Sequence, residues 1–329
     1  MRDILTIFAI ILVIILSAAL AVPYLVDWDA ERSLVEAQLS HLLGQQVEIH
    51  GGIDLKLLPT PYLQLSDLEV KDPAAGSDIR ADELHLEIAL PPLLRGEVDF
   101  VEALLVRPRL RLRIEHEAMA LPLPTHGVPE QMQFERISVE DGTVVIADPA
   151  TGRNFTFTNI GLSAEASALT GPFTGNGAFD VAGEPTAFRF STGERHGDRL
   201  HFKLIVDESA RYPGGNLDAD LLFAPHALPS IDGAILLSGH QRDIVALPWQ
   251  LSGALHAELR RASISNLDLR LGNEDRAANL EGAAEFDLGS KPRVNLTLKA
   301  QQIDLDKLLA TKTGPPPMQQ LANAFERLA

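Results

Sequence analysis

From Val47 onward, apolar and polar residues alternate along most of the chain. "VEIHGGIDLKLL", "YLQLSDLEV", "ADELHLEIAL" and "RPRLRLRIE" each place apolar residues on every second position. Successive strand side chains point to opposite faces, so this alternation predicts half-buried strands. Leu63, Leu65, Leu84, Leu86, Ile88, Val106, Leu110, Leu112, Ile114, Val144 and Ile146 fall on the expected apolar face. The first stretch predicts two short strands about a Gly51-Gly52 turn, and "KDPAAGSD" and "PPLLRGE" read as turn clusters between the later ones.

"AMALPLPTHGVPE" predicts a linker, and beyond it the same design resumes in "ISVEDGTVVIAD", "RNFTFTNIGLSAEA", "RLHFKLIVD", "SNLDLRLG" and "RVNLTLKA". Two themes recur. One is an apolar residue, a small or acidic one, then glycine, at Phe173-Thr174-Gly175, Leu237-Ser238-Gly239, Leu251-Ser252-Gly253 and Leu280-Glu281-Gly282. The other is Ser/Thr, Asp/Asn, then Leu/Ile, read as opening a strand in "LSDLEV", "FTNIGLS" and "ISNLDLRL". Degenerate repeats of short strands predict a quasi-one-dimensional sheet in which each unit contacts its neighbours.

The N-terminus follows a different rule. Ile4 to Val22 is nineteen residues without a charge, about 28 Å as a helix, which matches the hydrocarbon thickness of a bilayer. Ala19-Leu20-Ala21 also has the small-x-small shape of a signal-peptide cleavage site. The apolar run exceeds a usual signal core, which favours an uncleaved anchor with the rest of the chain exported. "DWDAERSLVEAQLSHLLG" then predicts a short amphipathic helix, with Asp27 or Asp29 as cap, Val35, Leu39 and Leu42 on one face, and Gly44 past its end. It could lie on the lipid surface or plug the end of the following sheet.

Composition removes several classes. A net charge of −17 argues against nucleic acid as a partner. With no cysteine there is no disulfide, thiolate zinc site or cysteine nucleophile. The expected organisation is an anchor (1–25), an N-terminal helix and β-segment (26–118), a linker (119–130), a repeating β-segment (131–312), and a hinge with the start of a helix (313–329). No nucleophile elbow, P-loop, dinucleotide fingerprint or H-E-x-x-H is found. No catalytic residue, cofactor or metal ligand is assigned, and the chain reads as a non-enzyme.

Arg107, Arg109, Arg111 and Arg113 alternate with the apolar residues of "RPRLRLRIE". A guanidinium row at a groove rim could take lipid phosphates bidentately. The alternative is a solvated strand face balanced by acids such as Glu83, Glu87, Glu97 and Asp99.

The anchor followed by "VPYLVDWDAERSLVEAQLSHLLGQQVEIHGGIDLKLLPTPYLQLSDLEVKD" resembles the N-terminal segment of the AsmA family of bacterial envelope proteins, and "LEGAAEFDLGSKPRVNLTLKAQQIDLDKLL" resembles that family's recurring repeat. The resemblance implies an inner-membrane, single-pass protein with the bulk of the chain in the periplasm, related to bridge-like lipid carriers. The expected fold is therefore mainly β, an extended, curved antiparallel sheet of repeated strands forming a groove, with an N-terminal transmembrane helix and a short amphipathic helix. The implied function is binding and transfer of phospholipid between envelope membranes. A non-catalytic assembly factor for outer-membrane proteins, docking envelope partners at an open sheet edge, is the alternative.

Overall fold

The computed structural model describes residues 28 and 30–303, apart from 44, 73–76, 94, 96–99, 116–117, 120–133, 150, 167–170, 210–211, 224–228, 241–247, 259, 273–277, 288 and 290. The expected anchor from Ile4 to Val22, most of the linker 119–130 and the segment 313–329 lie outside the described residues. The described chain is mainly β. It divides into two compact units: unit 1 comprises residues 1–114, 120–148 and 153–182, and unit 2 comprises 115–119, 149–152 and 183–329.

Unit 1 opens with helix α1 (Arg32–Leu43). Its strands are β1 (Gln46–Ile49), β2 (Ile53–Lys56), β3 (Tyr62–Asp72), β4 (Ser77–Ile88), β5 (Phe100–Val106), β6 (Arg109–Glu115), β8 (Phe134–Asp148), β9 (Arg153–Ala166) and β10 (Phe173–Val181), with the single-turn helix α2 (Leu90–Leu93) before β5; the two-residue strand β7 (Ala118–Met119), between β6 and β8 in the chain, is assigned to unit 2. β1 and β2 do not form a hairpin about the two glycines, as their sequence suggests. Both pair with β3, Val47 opposite Val70 and Ile53 opposite Leu65, so they are one edge strand interrupted at Gly51-Gly52. A β-carbon on Gly51 would lie 2.6 Å from the Ser66 carbonyl oxygen, and this close approach requires glycine.

The sheet of unit 1 is mixed, which corrects the expectation of an antiparallel one. β8 runs parallel to β5, with Leu105 opposite Val139, and parallel to β6, with Leu110 opposite Val144. β8 starts at Phe134, opposite Phe100, and a parallel pair of this kind needs a crossover, where a tight turn would have forced antiparallel pairing. β8, beyond the expected linker, pairs directly with β5 and β6, which precede it.

α1 closes the outer edge of this sheet. Val35, Leu39 and Trp28 pack on a buried cluster of Val47, Ile49, Ile53, Leu65, Leu68 and Val70. Its polar side chains bond the edge itself: Val47 N donates to Ser40 Oγ at 2.9 Å, Ile49 N donates to Glu36 Oε1 at 2.8 Å, and Arg32 donates to the carbonyls of Ile49 at 3.0 Å and Gly51 at 2.9 Å. Of the two sequence readings for this helix, the structure takes the one in which it plugs the sheet. The side chain of Leu42, Asp27, Asp29 and Gly44 lie outside what is described.

Unit 2 contains β11 (Glu184–Thr192), β12 (Arg199–Val206), β13 (Gly214–Leu222), β14 (Ser230–His240), β15 (Pro248–Glu258), β16 (Arg261–Leu271), β17 (Ala278–Asp287) and β18 (Arg293–Ile303). Each pairs antiparallel with the next.

Candidate functional site

Directly opposed residues on neighbouring strands share a face, so the register sorts each unit into rows of side chains. In unit 2, Phe202, Ala219, Gly233, Leu255, Ile264, Ala284 and Leu296 form one row across seven strands. The adjacent row, one residue along each strand, is His201, Asp220, Asp232, His256, Ser263, Glu285 and Asn295. These rows give the sheet one apolar face and one mainly polar face, on which Ile205, Leu222 and Leu236 are apolar exceptions. Three glycines on the apolar face, Gly233, Gly253 and Gly282, lie where a β-carbon would collide with the neighbouring strand. Ile264, Leu267 and Ala284 form a small buried cluster, with half-buried residues such as Leu251, Leu269 and Phe286 around it. Among the described residues of unit 2 there is no helix.

Unit 1 has an apolar face of its own. Val47, Val70, Ile79, Leu110, Val144, Phe157 and Val181 form one row, and Leu65, Leu84, Leu105, Val139 and Leu162 another. Of the sequence-predicted lining residues, Leu63 and Leu86 share a row with Ala103 and Ile137, and Leu112 shares one with Ile146. Ile88 packs on the cluster of Leu86, Phe100 and Ala103. Leu65, Leu86 and Leu112 are closed off at 0%, 7% and 4% exposure, Leu65 beneath α1. Val106 is placed on the other face: it lies opposite Glu83 and Glu140, in the row that begins at Ser66. The side chains of Arg113 and Ile114 lie outside the described ones.

A backbone feature explains the displacement of Val106. Asp67, Arg107, Asp141, Asn159 and Asn266 all have φ between 50° and 54°. Such a left-handed residue within a strand inverts the alternation for everything beyond it, and Asp and Asn adopt it most readily. Leu65 and Leu68 therefore both face the core, although three residues apart, as do Ile264 and Leu267. The recurring Ser/Thr-Asp/Asn-Leu/Ile theme does not open strands. It sits inside β3, β9 and β16 and keeps their apolar face in phase. The missed signal is the one-residue slip of the apolar period at each copy.

The arginines divide for the same reason. Arg107 occupies a left-handed position, and its Nε donates to Asp82 Oδ2 at 2.7 Å. Arg109 lies opposite Arg80, and Arg111 opposite Asp78, both exposed on the polar face. Arg80 in turn holds Glu69 at 2.7 Å. Glu97 and Asp99 lie outside the described residues.

Glu48, His50 and Glu69 form the one grouping with metal-ligand geometry among the described residues. Lys71 lies 2.6 Å from Glu48 and Arg80 lies 2.7 Å from Glu69, so both carboxylates already hold cations. Burial pushes the Glu69 carboxyl up, but hydrogen bonds from His50 and Arg80 and the charges of Arg80 and Lys71 outweigh it and leave the pKa lowered. The grouping is an ion-pair network. In unit 2, His201 lies 3.0 Å from Asp220, and His240 lies 3.0 Å from Glu208.

A helix-edged mixed sheet followed by a repeating antiparallel one, with a single apolar face in each, defines a β-repeat protein. The family model described as "AsmA family" matches residues 1–184, and the chain belongs to that family. It is similar to Protein AsmA of Escherichia coli (strain K12), 22% identical over 344 aligned positions that cover 98% of this chain and 49% of that protein. The chain thus spans about half the length of this relative. No solved structure matches. No helix among the described residues is long and apolar enough to cross a membrane.

Proposed function

We propose that this chain is an inner-membrane-anchored envelope protein whose apolar β-face binds phospholipid acyl chains and helps transfer phospholipid between the envelope membranes, in support of outer-membrane biogenesis. The anchor is the uncharged run from Ile4 to Val22, and the bulk of the chain lies in the periplasm. The observation that carries the reading is the apolar row from Phe202 to Leu296, which continues across seven strands beside a wholly polar one. Such a face needs a cover. In unit 1 part of that cover is α1, whereas unit 2 has no helix among its described residues. Acyl chains suit the role, since burial returns about 0.8 kcal/mol per CH₂, on the order of 10 kcal/mol for one fatty chain. The function is one of binding and passage, without a covalent step.

The test is mass spectrometry of lipids extracted from the gently solubilised full chain. Phospholipid is expected to co-purify, and the double variant Leu204→Asp/Ile235→Asp, on the same face, is expected to lose it while circular dichroism keeps its strand signal. A lipid-free preparation, or a variant that retains wild-type lipid, would overturn the proposal. A second reading, a tethered assembly factor for outer-membrane proteins, is favoured by one observation: the exposed apolar residues of β18, Val294 at 62% and Leu296 at 56%.

A further inference from the structure

The two strands β1 and β18 are treated very differently by the chain around them. The outer side of β1 is occupied, its N–H groups taken by Ser40 and Glu36 and its carbonyls by Arg32. β18 forms a ladder on one side only among the described residues, with β17. Residues Arg293 to Thr297 are exposed one after another, and Val294, Leu296 and Ile303 are 62%, 56% and 48% exposed. A strand with an open side presents unpaired N–H and C=O groups to another chain.

Charge says which kind of chain would fit. The segment 291–303 carries Lys291, Arg293 and Lys299 and no acid, in a molecule of 45 acidic against 28 basic residues. On its paired side Arg293 lies opposite Asp287, and Lys299 opposite Glu281. β18 is thus a basic strand with an acidic neighbour on one side and, among the described residues, no strand on the other. Its apolar side chains Val294, Leu296 and Leu298 continue the rows of β17, opposite Phe286, Ala284 and Gly282. A second copy pairing antiparallel about Leu296 would set Arg293 against Lys299, and like charges directly opposed are unfavourable.

We propose that the open edge of β18 is a strand-addition site for an extended partner segment that alternates apolar with acidic residues. The partner's backbone would complete the ladder, its apolar side chains would extend the apolar face, and its carboxylates would meet Arg293 and Lys299. This inference stands apart from the lipid reading and survives its failure.

The test uses the full chain in detergent micelles and a fluorescent peptide of about nine residues, within the usual strand length, alternating valine with glutamate. Anisotropy should show saturable binding. The matched valine-lysine peptide should bind at least about tenfold more weakly, and N-methylation of alternate peptide residues should abolish binding. Arg293→Glu combined with Lys299→Glu should reverse the charge preference with the strand content unchanged. Equal binding of the two peptides would overturn the proposal, as would indifference to N-methylation. So would a photo-crosslinker on the peptide labelling residues outside β18, or a wild-type dimer that excludes the peptide and dissociates in the double variant, which would assign the edge to a second copy.

Discussion

Gly282 of β17 lies directly opposite Leu298 of β18, and a β-carbon on Gly282 would collide with the carbonyl oxygen of Thr297. The strands approach here more closely than any side chain permits. Valine is ordinarily favoured over glycine in a strand, but at this position the clash decides. Gly282→Val is expected to destabilise by about 1–3 kcal/mol, as overpacking does. Gly161 of β9 has nothing within 4 Å of the same virtual atom, so Gly161→Val is expected to be neutral or slightly stabilising. Urea denaturation of the two variants checks the contrast.

Asn266 tests the bulges. Its φ of 50° is left-handed, and Ile264 and Leu267 on either side of it both join the buried cluster. Asn266→Ile forces a branched side chain into that conformation and is expected to cost about 1–2 kcal/mol. Asn266→Gly, which adopts it freely, should leave stability within a few tenths of a kcal/mol of wild type. If the isoleucine variant denatures at the wild-type urea concentration, the bulge has another cause.

His256 gives the fold a pH dependence of known sign. Its hydrogen bond to Asp232 raises its pKa, outweighing the opposing effect of burial, and the charges of Asp232 and Glu258 add to the rise. A raised value means the protonated form is stabilised in the folded state. This contribution is complete below the unfolded value of about 6.5 and is lost as pH rises through the higher folded value. The side chain is half exposed, so the effect stays below about 1 kcal/mol. His256→Gln should flatten the decline of melting temperature above neutral pH; an unchanged slope would assign it to other groups.

Glu69 has the opposite sign. Its lowered pKa adds stability above the unfolded value of about 4.3, lost as pH falls through the folded one. Removing Arg80 as Arg80→Met should therefore weaken the protein at neutral pH and narrow the difference from wild type in acid. Melting temperatures of both proteins across pH 3 to 7 measure this, and a constant difference would sink it.

Arg109 and Arg111 belong to a strand face that already contains Asp78, Arg80 and Glu69. Arg109→Ser combined with Arg111→Ser is expected to leave bound phospholipid unchanged in the mass-spectrometric assay. A large loss would make them headgroup ligands. Leu86 and Leu112, by contrast, are poor probes of lipid binding. Both are buried, so aspartate there strands a charge in the core and unfolds what it is meant to test.

Much of this was legible in the residues. The alternation gave strands where they occur, and the amphipathic pattern of "RSLVEAQLSHLL" gave α1 with Val35 and Leu39 inward. Val106 was misplaced because strict alternation was carried through Arg107, where one left-handed residue inverts it. The Gly51-Gly52 pair looked like a hairpin turn because local chemistry cannot distinguish a turn from an interruption opposite a third strand.

By itself the sequence determined the class of structure, since a side-chain period of two allows half-buried strands and leaves one apolar face to cover. It also specified the bulges, because the Asx residues occur where the period slips. Only the tertiary structure decided that β8 runs parallel, that α1 seals β1, and that β18 pairs on one side only among the described residues. Those outcomes depend on which distant strand or helix packs against each edge with matching side chains, and no local pattern encodes that choice.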